Sequence, residues 1–135
     1  MDTWLYDIAT VMKVLGGSAT LQQIYRAVRE RRENQPPEWR AEIRSTIYRH
    51  SKDSPAYVPG NPDMFRSVGR GEWGLRFPGD PTVGKKSDFH PMVLAFDVVM
   101  SSMSKEELDS LQRSGKLKET VERKAEEIRN RYRLT

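Results

Sequence analysis

Apolar residues along the first part of the chain recur at helical spacing. In TWLYDIATVMKVLGG, starting at Thr3, the residues Leu5, Ile8, Met12 and Leu15 share one helical face, and Gly16-Gly17 ends the run. SATLQQIYRAVRERR then offers Ser18 or Thr20 as an N-cap and an apolar stripe of Leu21, Ile24, Tyr25 and Val28. Pro36 and Pro37 interrupt that helix, and the second of them suits the first turn of a new one, so a third helix is predicted from about Pro37 to His50. After SKDSP the texture changes. AYV, DMFRSV and EWGLRF are short segments divided by the turn sequences PGNP and GRG, which predicts two or three short strands with a hairpin tip over Val68 to Trp73.

PGDPTVGKKSD follows without periodicity and reads as a linker. Beyond it, FHPMVLAFDVVMSSMS is densely apolar, and His90 before Pro91 is placed to begin a helix. Ser104 with Glu107 three residues on makes a capping-box pattern. A final helix from about Leu117 to Tyr132 carries a thin seam of Leu117, Val121, Ala125, Ile128 and Tyr132. There is no internal repeat. Three short helices followed by a hairpin is the element order of a winged helix-turn-helix. The expected fold class is therefore mainly α with a small β-hairpin wing (α+β): a winged helix-turn-helix over 1–78, a linker over 79–88 and a C-terminal helical extension over 89–135.

Within this frame the third helix divides into two faces. With Ile43 at the centre of the inner face, Trp39 and Ile47 lie about 40° to either side at about 100° per residue. The outer face carries Ala41, Ser45, Tyr48 and Lys52, flanked by Arg44 on one edge and by Glu38 and Arg49 on the other. Small residues along the middle leave room for base edges, while Arg44, Tyr48 and Arg49 are long enough to reach bases or phosphates. The bland alternative is that these arginines are solvated and paired with Glu38, Glu42 or Asp53. On the wing, Arg66, Arg70 and Arg76 are candidate backbone contacts, and Met64, Phe65, Val68, Trp73 and Leu75 supply apolar residues for the core. Trp73 suits a core position better than a base-stacking surface.

Charge sharpens this picture through its distribution. The formal net charge is only +4 over 135 residues, yet Arg26 to Lys52 holds eight Lys or Arg against four Glu, whereas Gly79 to Thr135 is nearly balanced at eleven to ten. A local positive excess favours a polyanionic partner through counterion release. The chain has no cysteine and two histidines 40 residues apart, which argues against a thiolate or histidine metal site. Asp80 and Asp88 around Lys85-Lys86, and Glu126-Glu127, lack the strand context that fixes metal-binding carboxylates. The expectation is a protein that is not an enzyme and uses no cofactor. With no apolar run of about 18 residues and no signal-peptide pattern at its start, it is expected in the cytoplasm, on the nucleoid when bound to DNA.

LGGSATLQQIYRAVRERR, EWRAEIRSTIYRHSKDSPAY and MFRSVGRGEWGLR together resemble the winged-helix domains appended to bacterial restriction endonucleases, a group related to the HARE-HTH domains. The resemblance covers about residues 1 to 77, with Lys52 as a departure inside the helix motif, and nothing after Pro78 resembles a known family. It implies a module that reads double-stranded DNA, concerned in some members with modified DNA or with delivering a nuclease. Residue by residue, it implies Arg44, Ser45, Tyr48, Arg49 and His50 on the reading helix and Arg70 in the wing. With the residues read from the helix and hairpin, the candidate DNA-binding set is Ala41, Arg44, Ser45, Tyr48, Arg49, His50, Lys52, Arg66 and Arg70. The apolar tail is expected to form a homodimer through Phe89, Val93, Phe96, Val121 and Ile128, its rivals being fold-back onto the same chain or docking to an effector. The competing function is a protein-interaction module that uses helix 3 or the tail.

Overall fold

A computed structural model describes residues 4–31, 36–76 and 90–133, the side chains of 132 and 133 excepted. The elements in order are α1 (Trp4–Val14), β1 (Ser18–Thr20), α2 (Leu21–Arg31), α3 (Trp39–Arg49), β2 (Phe65–Gly69), β3 (Glu72–Leu75), α4 (Pro91–Ser101), α5 (Lys105–Arg113) and α6 (Leu117–Arg133). The three strands form one antiparallel sheet in the order β1-β3-β2. This is a winged helix-turn-helix followed by three further helices. The linker over 79–88 and Phe89 lie outside the described residues.

α1 ends where the sequence places its stop. Gly16 and Gly17 adopt φ of 105° and 101°, and the Gly17 N–H donates to the Met12 carbonyl at 2.8 Å, a Schellman-type closure. The chain turns directly into β1, a strand too short for alternation to reveal. Ser18, Ala19 and Thr20 pair with Gly74, Trp73 and Glu72. Gly74 suits this crossing, because a Cβ there would press at 3.3 Å on the Gly17 carbonyl oxygen. Thr20, rather than Ser18, caps α2: the Gln23 N–H donates to its Oγ1 at 3.1 Å, and the Thr20 N–H donates to Gln23 Oε1 at 2.9 Å.

α3 buries Trp39, Ile43, Thr46 and Ile47, and the Trp39 ring meets the Tyr25 ring edge-on at 5.9 Å. AYV is part of a loop rather than a strand, in which Tyr57 Oη donates to the Asn61 carbonyl at 2.7 Å. That loop is sewn to the end of α3, since Asn61 Nδ2 and the Val58 N–H both donate to the Arg49 carbonyl. In the hairpin, the pairing shifts between Ser67 and Gly69, so Val68 is thrown outward and is 39% exposed instead of joining the core.

The extension does not stand apart. His90 caps α4, its Nδ1 accepting from the Met92 N–H at 3.1 Å with Pro91 in the first turn, and both halves of the Ser104–Glu107 capping box form at α5. α4 packs against the Leu117, Val121, Ala125 and Ile128 seam of α6, and α5 lies on α1. α1 is consequently covered nearly all round: every residue from Trp4 to Met12 is buried, Asp7 and Thr10 included. Leu15, expected on its inner face, lies just past the helix end and is 41% exposed.

These contacts correct the expected dimer surface. Val93, Phe96 and Val121 are fully buried and Ile128 is 7% exposed, all within one chain and in the same hydrophobic core as Ile8, Ile43 and Phe65. The seam needed a partner surface, as its spacing indicated, but α4 supplies it. The Phe96 ring packs tilted on Tyr6 of α1 at 5.4 Å, so the winged helix-turn-helix and the extension share one core. Polar contacts fix the same junction. Gln112 Nε2 donates to Asp7 Oδ1 at 2.6 Å, Tyr6 Oη donates to Glu122 Oε1 at 3.0 Å, and Arg31 Nη2 donates to Asp109 Oδ1 at 2.6 Å from a side chain only 8% exposed. Burial alone would raise the Asp109 pKa, but Arg113 and Arg31 outweigh it and hold the carboxyl below its ordinary value. Burial, reinforced by the bond to Glu122, raises the Tyr6 phenol well above its usual value.

Candidate nucleic-acid interface

The outer face of α3 and the wing form a single surface because Tyr48 joins them. Its ring packs on Trp73 of β3 at 5.7 Å, and Trp73 is itself buried, which gives the tryptophan to the core rather than to base stacking. Tyr48 is half-buried and sits at the seam with its packing already committed. The wing tip is tied to the start of α2 as well, since the Leu21 N–H donates to the Gly71 carbonyl at 3.0 Å. Gly71 supplies a φ of 71°, and Arg70 beside it is exposed at the tip.

Along α3, Ala41 is exposed and Ser45 half-exposed, leaving a shallow middle. Arg44 Nη1 donates at 3.0 Å to the hydroxyl of Tyr25 on α2, rather than to Glu38 or Glu42. That bond strengthens an already permanent charge, raising the Arg44 pKa further, and it aims the guanidinium along the α2 edge. Arg49 is half-buried and donates from Nε to the Ser45 carbonyl at 3.2 Å. Lys52 is exposed, while its backbone N–H donates to Asp63 Oδ1 at 2.9 Å. Arg66 is half-buried on β2.

Two of the residues named from sequence belong elsewhere. Arg76 is a pin rather than a wing contact. Its Nη2 lies 2.7 Å from Asp53 Oδ2, its Nε stands 3.2 Å from Asp63 Oδ2, and Nη2 also donates to the Phe65 carbonyl at 3.3 Å. Asp53 Oδ2 in turn accepts from the Ser67 N–H at 2.9 Å, so the cluster holds the base of the wing to the loop after α3. His50 leaves the reading set as well. It is seven residues beyond Ile43, about 20° from the centre of the inner face at about 100° per residue. Its Nδ1–H donates to the Thr46 carbonyl at 2.7 Å, and the ring lines a pocket of about 510 Å³ with Tyr6, Pro62, His90 and Glu122. The residue carried over by resemblance thus faces the extension.

The surviving surface is Ala41, Arg44, Ser45, Tyr48, Arg49 and Lys52 on and just after α3, with Arg66 and Arg70 on the wing. Two further residues belong to it. Tyr25 was read as helix stripe, and only the fold reveals that its hydroxyl reaches Arg44 while its ring stays buried. Glu42 was read as a potential partner for arginine but is exposed on the outer edge. Among the described residues no group of three or more His, Asp or Glu is placed to hold a metal ion, and no helix is long and apolar enough to cross a membrane. No protein-family model, no curated protein and no solved structure matches the chain.

Proposed function

We propose that this protein reads double-stranded DNA, inserting α3 into the major groove and resting the wing on the phosphate backbone, as a cytoplasmic regulator or restriction-system accessory factor. One observation carries the reading: the Tyr48–Trp73 contact makes a helix face with a small-residue middle continuous with a hairpin whose tip presents Arg70. A groove-reading helix needs side chains that leave space at its centre and reach bases at its edges, and a wing needs a cation beyond its last apolar contact. The resemblance of the helix and wing segments to HARE-HTH domains, read from the sequence alone, points the same way.

The test is duplex binding followed by fluorescence anisotropy across a salt series. Arg44→Ala and Arg49→Ala should each weaken binding by about 1–3 kcal/mol, and Arg70→Ala should lower the salt slope by about one. Parent-like binding by all three variants would refute the surface. Absence of duplex binding at about 50 mM salt would refute the function and favour a protein partner.

A further inference from the structure

The reading face carries two carboxylates that a purely electrostatic DNA binder would not keep. Glu38 and Glu42 are both exposed, one helical turn apart, at the end of α3 where recognition helices approach base edges. Neither side chain has a hydrogen-bond or ion-pair partner among the described residues. Glu38 occupies the N-cap position, yet its side chain makes no capping bond, so the carboxylate is not consumed by the helix. Beside them Ala41 is exposed and Ser45 half-exposed, small enough to let the ridge approach closely. Arg44 lies on the other edge of α3, where it is turned to Tyr25 of α2.

We propose that the Glu42 carboxylate selects cytosine in the major groove by accepting a hydrogen bond from its 4-amino group. Glu38, one turn earlier, lines the same edge. This rests on the DNA-reading proposal above and names a base that the surface reads. A carboxylate offers only acceptors. Cytosine alone presents an amino donor without a neighbouring ring-nitrogen acceptor in that groove, whereas guanine shows two acceptors, adenine pairs its amino group with N7, and thymine shows O4 and a methyl. At any other base the charge meets lone pairs and nearby phosphates without compensation. Glu42 therefore acts as much by rejection as by attraction, lowering affinity for wrong sequences more than it raises affinity for the right one.

The test exploits an isosteric change. Glutamine reads adenine with a donor and an acceptor, so Glu42→Gln should convert the preference rather than merely erase it. Parent, Glu42→Gln and Glu42→Ala are put through selection from random duplexes at about 50 mM salt, with thermal melting of each protein alongside. The parent should enrich sites with cytosine at one position, about tenfold over adenine. Glu42→Gln should move that position to adenine at an unchanged melting midpoint. Glu42→Ala should lose the preference there while binding random duplex more tightly than the parent. The same base at every position in the parent and both variants overturns the inference and leaves DNA reading intact. A parent that binds no duplex overturns both. A carboxylate that only complements the helix dipole would shift the melting midpoint and leave the selected sequence unchanged.

Discussion

Phe96→Ala probes how far the winged helix-turn-helix depends on the helices that follow it. Phe96 is fully buried, its ring 5.4 Å from that of Tyr6 on α1, and α1 in turn packs on α2 and α3. Truncation removes most of an aromatic side chain from a site bounded by helices that cannot readily collapse, so the cost is about 3–5 kcal/mol. That is a large part of the about 5–15 kcal/mol typical of a domain, and it corresponds to a fall in melting temperature of roughly 10–20 °C. Since the ring is enclosed by its own chain, the loss should be the same at all protein concentrations and should appear as one cooperative transition. Urea unfolding followed by far-ultraviolet circular dichroism at two concentrations tenfold apart makes the measurement. Light scattering on the same samples should return a monomer mass. A midpoint that rises with concentration would mean that the α4–α6 seam is shared between copies. A variant whose winged-helix part melts at the parent temperature would mean that the two parts do not share a core.

Two other substitutions probe particular contacts. Tyr25→Phe keeps the ring against Trp39 and removes only the hydroxyl that holds Arg44, so it should cost about 1 kcal/mol of stability while weakening duplex binding several-fold with an unchanged salt slope, since the charge remains and only its aim is lost. Unchanged affinity by anisotropy would show that the bond does not serve the interface. His90 has its pKa depressed below 6.5, first by burial and then by Arg129, so its neutral form is favoured in the fold. Its contribution is present above pH 6.5 and is lost as the pH falls through the lower folded value. His90→Asn retains a capping side chain and should flatten the acid side of the stability profile below pH 6.5, read by urea midpoints. A profile identical to the parent would assign that loss to other groups.

The legible part of the fold is the part set by local chemistry. A glycine pair, a proline pair and capping boxes at Thr20 and Ser104 mark element ends without reference to the rest of the chain, and α1, α2, α3 and α5 begin or end within a few residues of those marks. β1 was invisible because a three-residue strand carries no alternation, and it forms only because β3 offers an edge. The partner of the α6 seam was undetermined for a related reason. Five apolar residues at helical spacing specify that a surface must be covered, but not which chain covers it. Burial of Asp7 likewise depends on α5, whose Gln112 meets it, arriving on the far side of α1. At the interface, wheel geometry placed Ala41, Ser45, Arg44 and Arg49 well. It missed the long-range links, Tyr25 to Arg44 and Arg76 to Asp53, because a hydrogen bond between distant elements has no periodic signature.

The nearly balanced charge count is therefore a poor guide to the surface until each charge is assigned. Arg76 stands against Asp53 and Asp63, and Arg31 and Arg113 against Asp109, so these ions neutralise one another in place and orient the wing and the extension. On α6, Arg123, Lys124 and Arg129 pair with Glu119, Glu127 and Glu126 along an exposed face, where such pairs contribute little. The exposed cations left by this pairing include Lys52 after α3 and Arg70 at the wing tip, which lie on the surface joined by Tyr48 and Trp73. The unneutralised acids at the start of α3 lie on that same surface. On the proposed DNA reading, cations toward the end of α3 and on the wing, with acids at its start, would favour one orientation of the duplex and would trade non-specific affinity for dependence on the bases beneath Glu42.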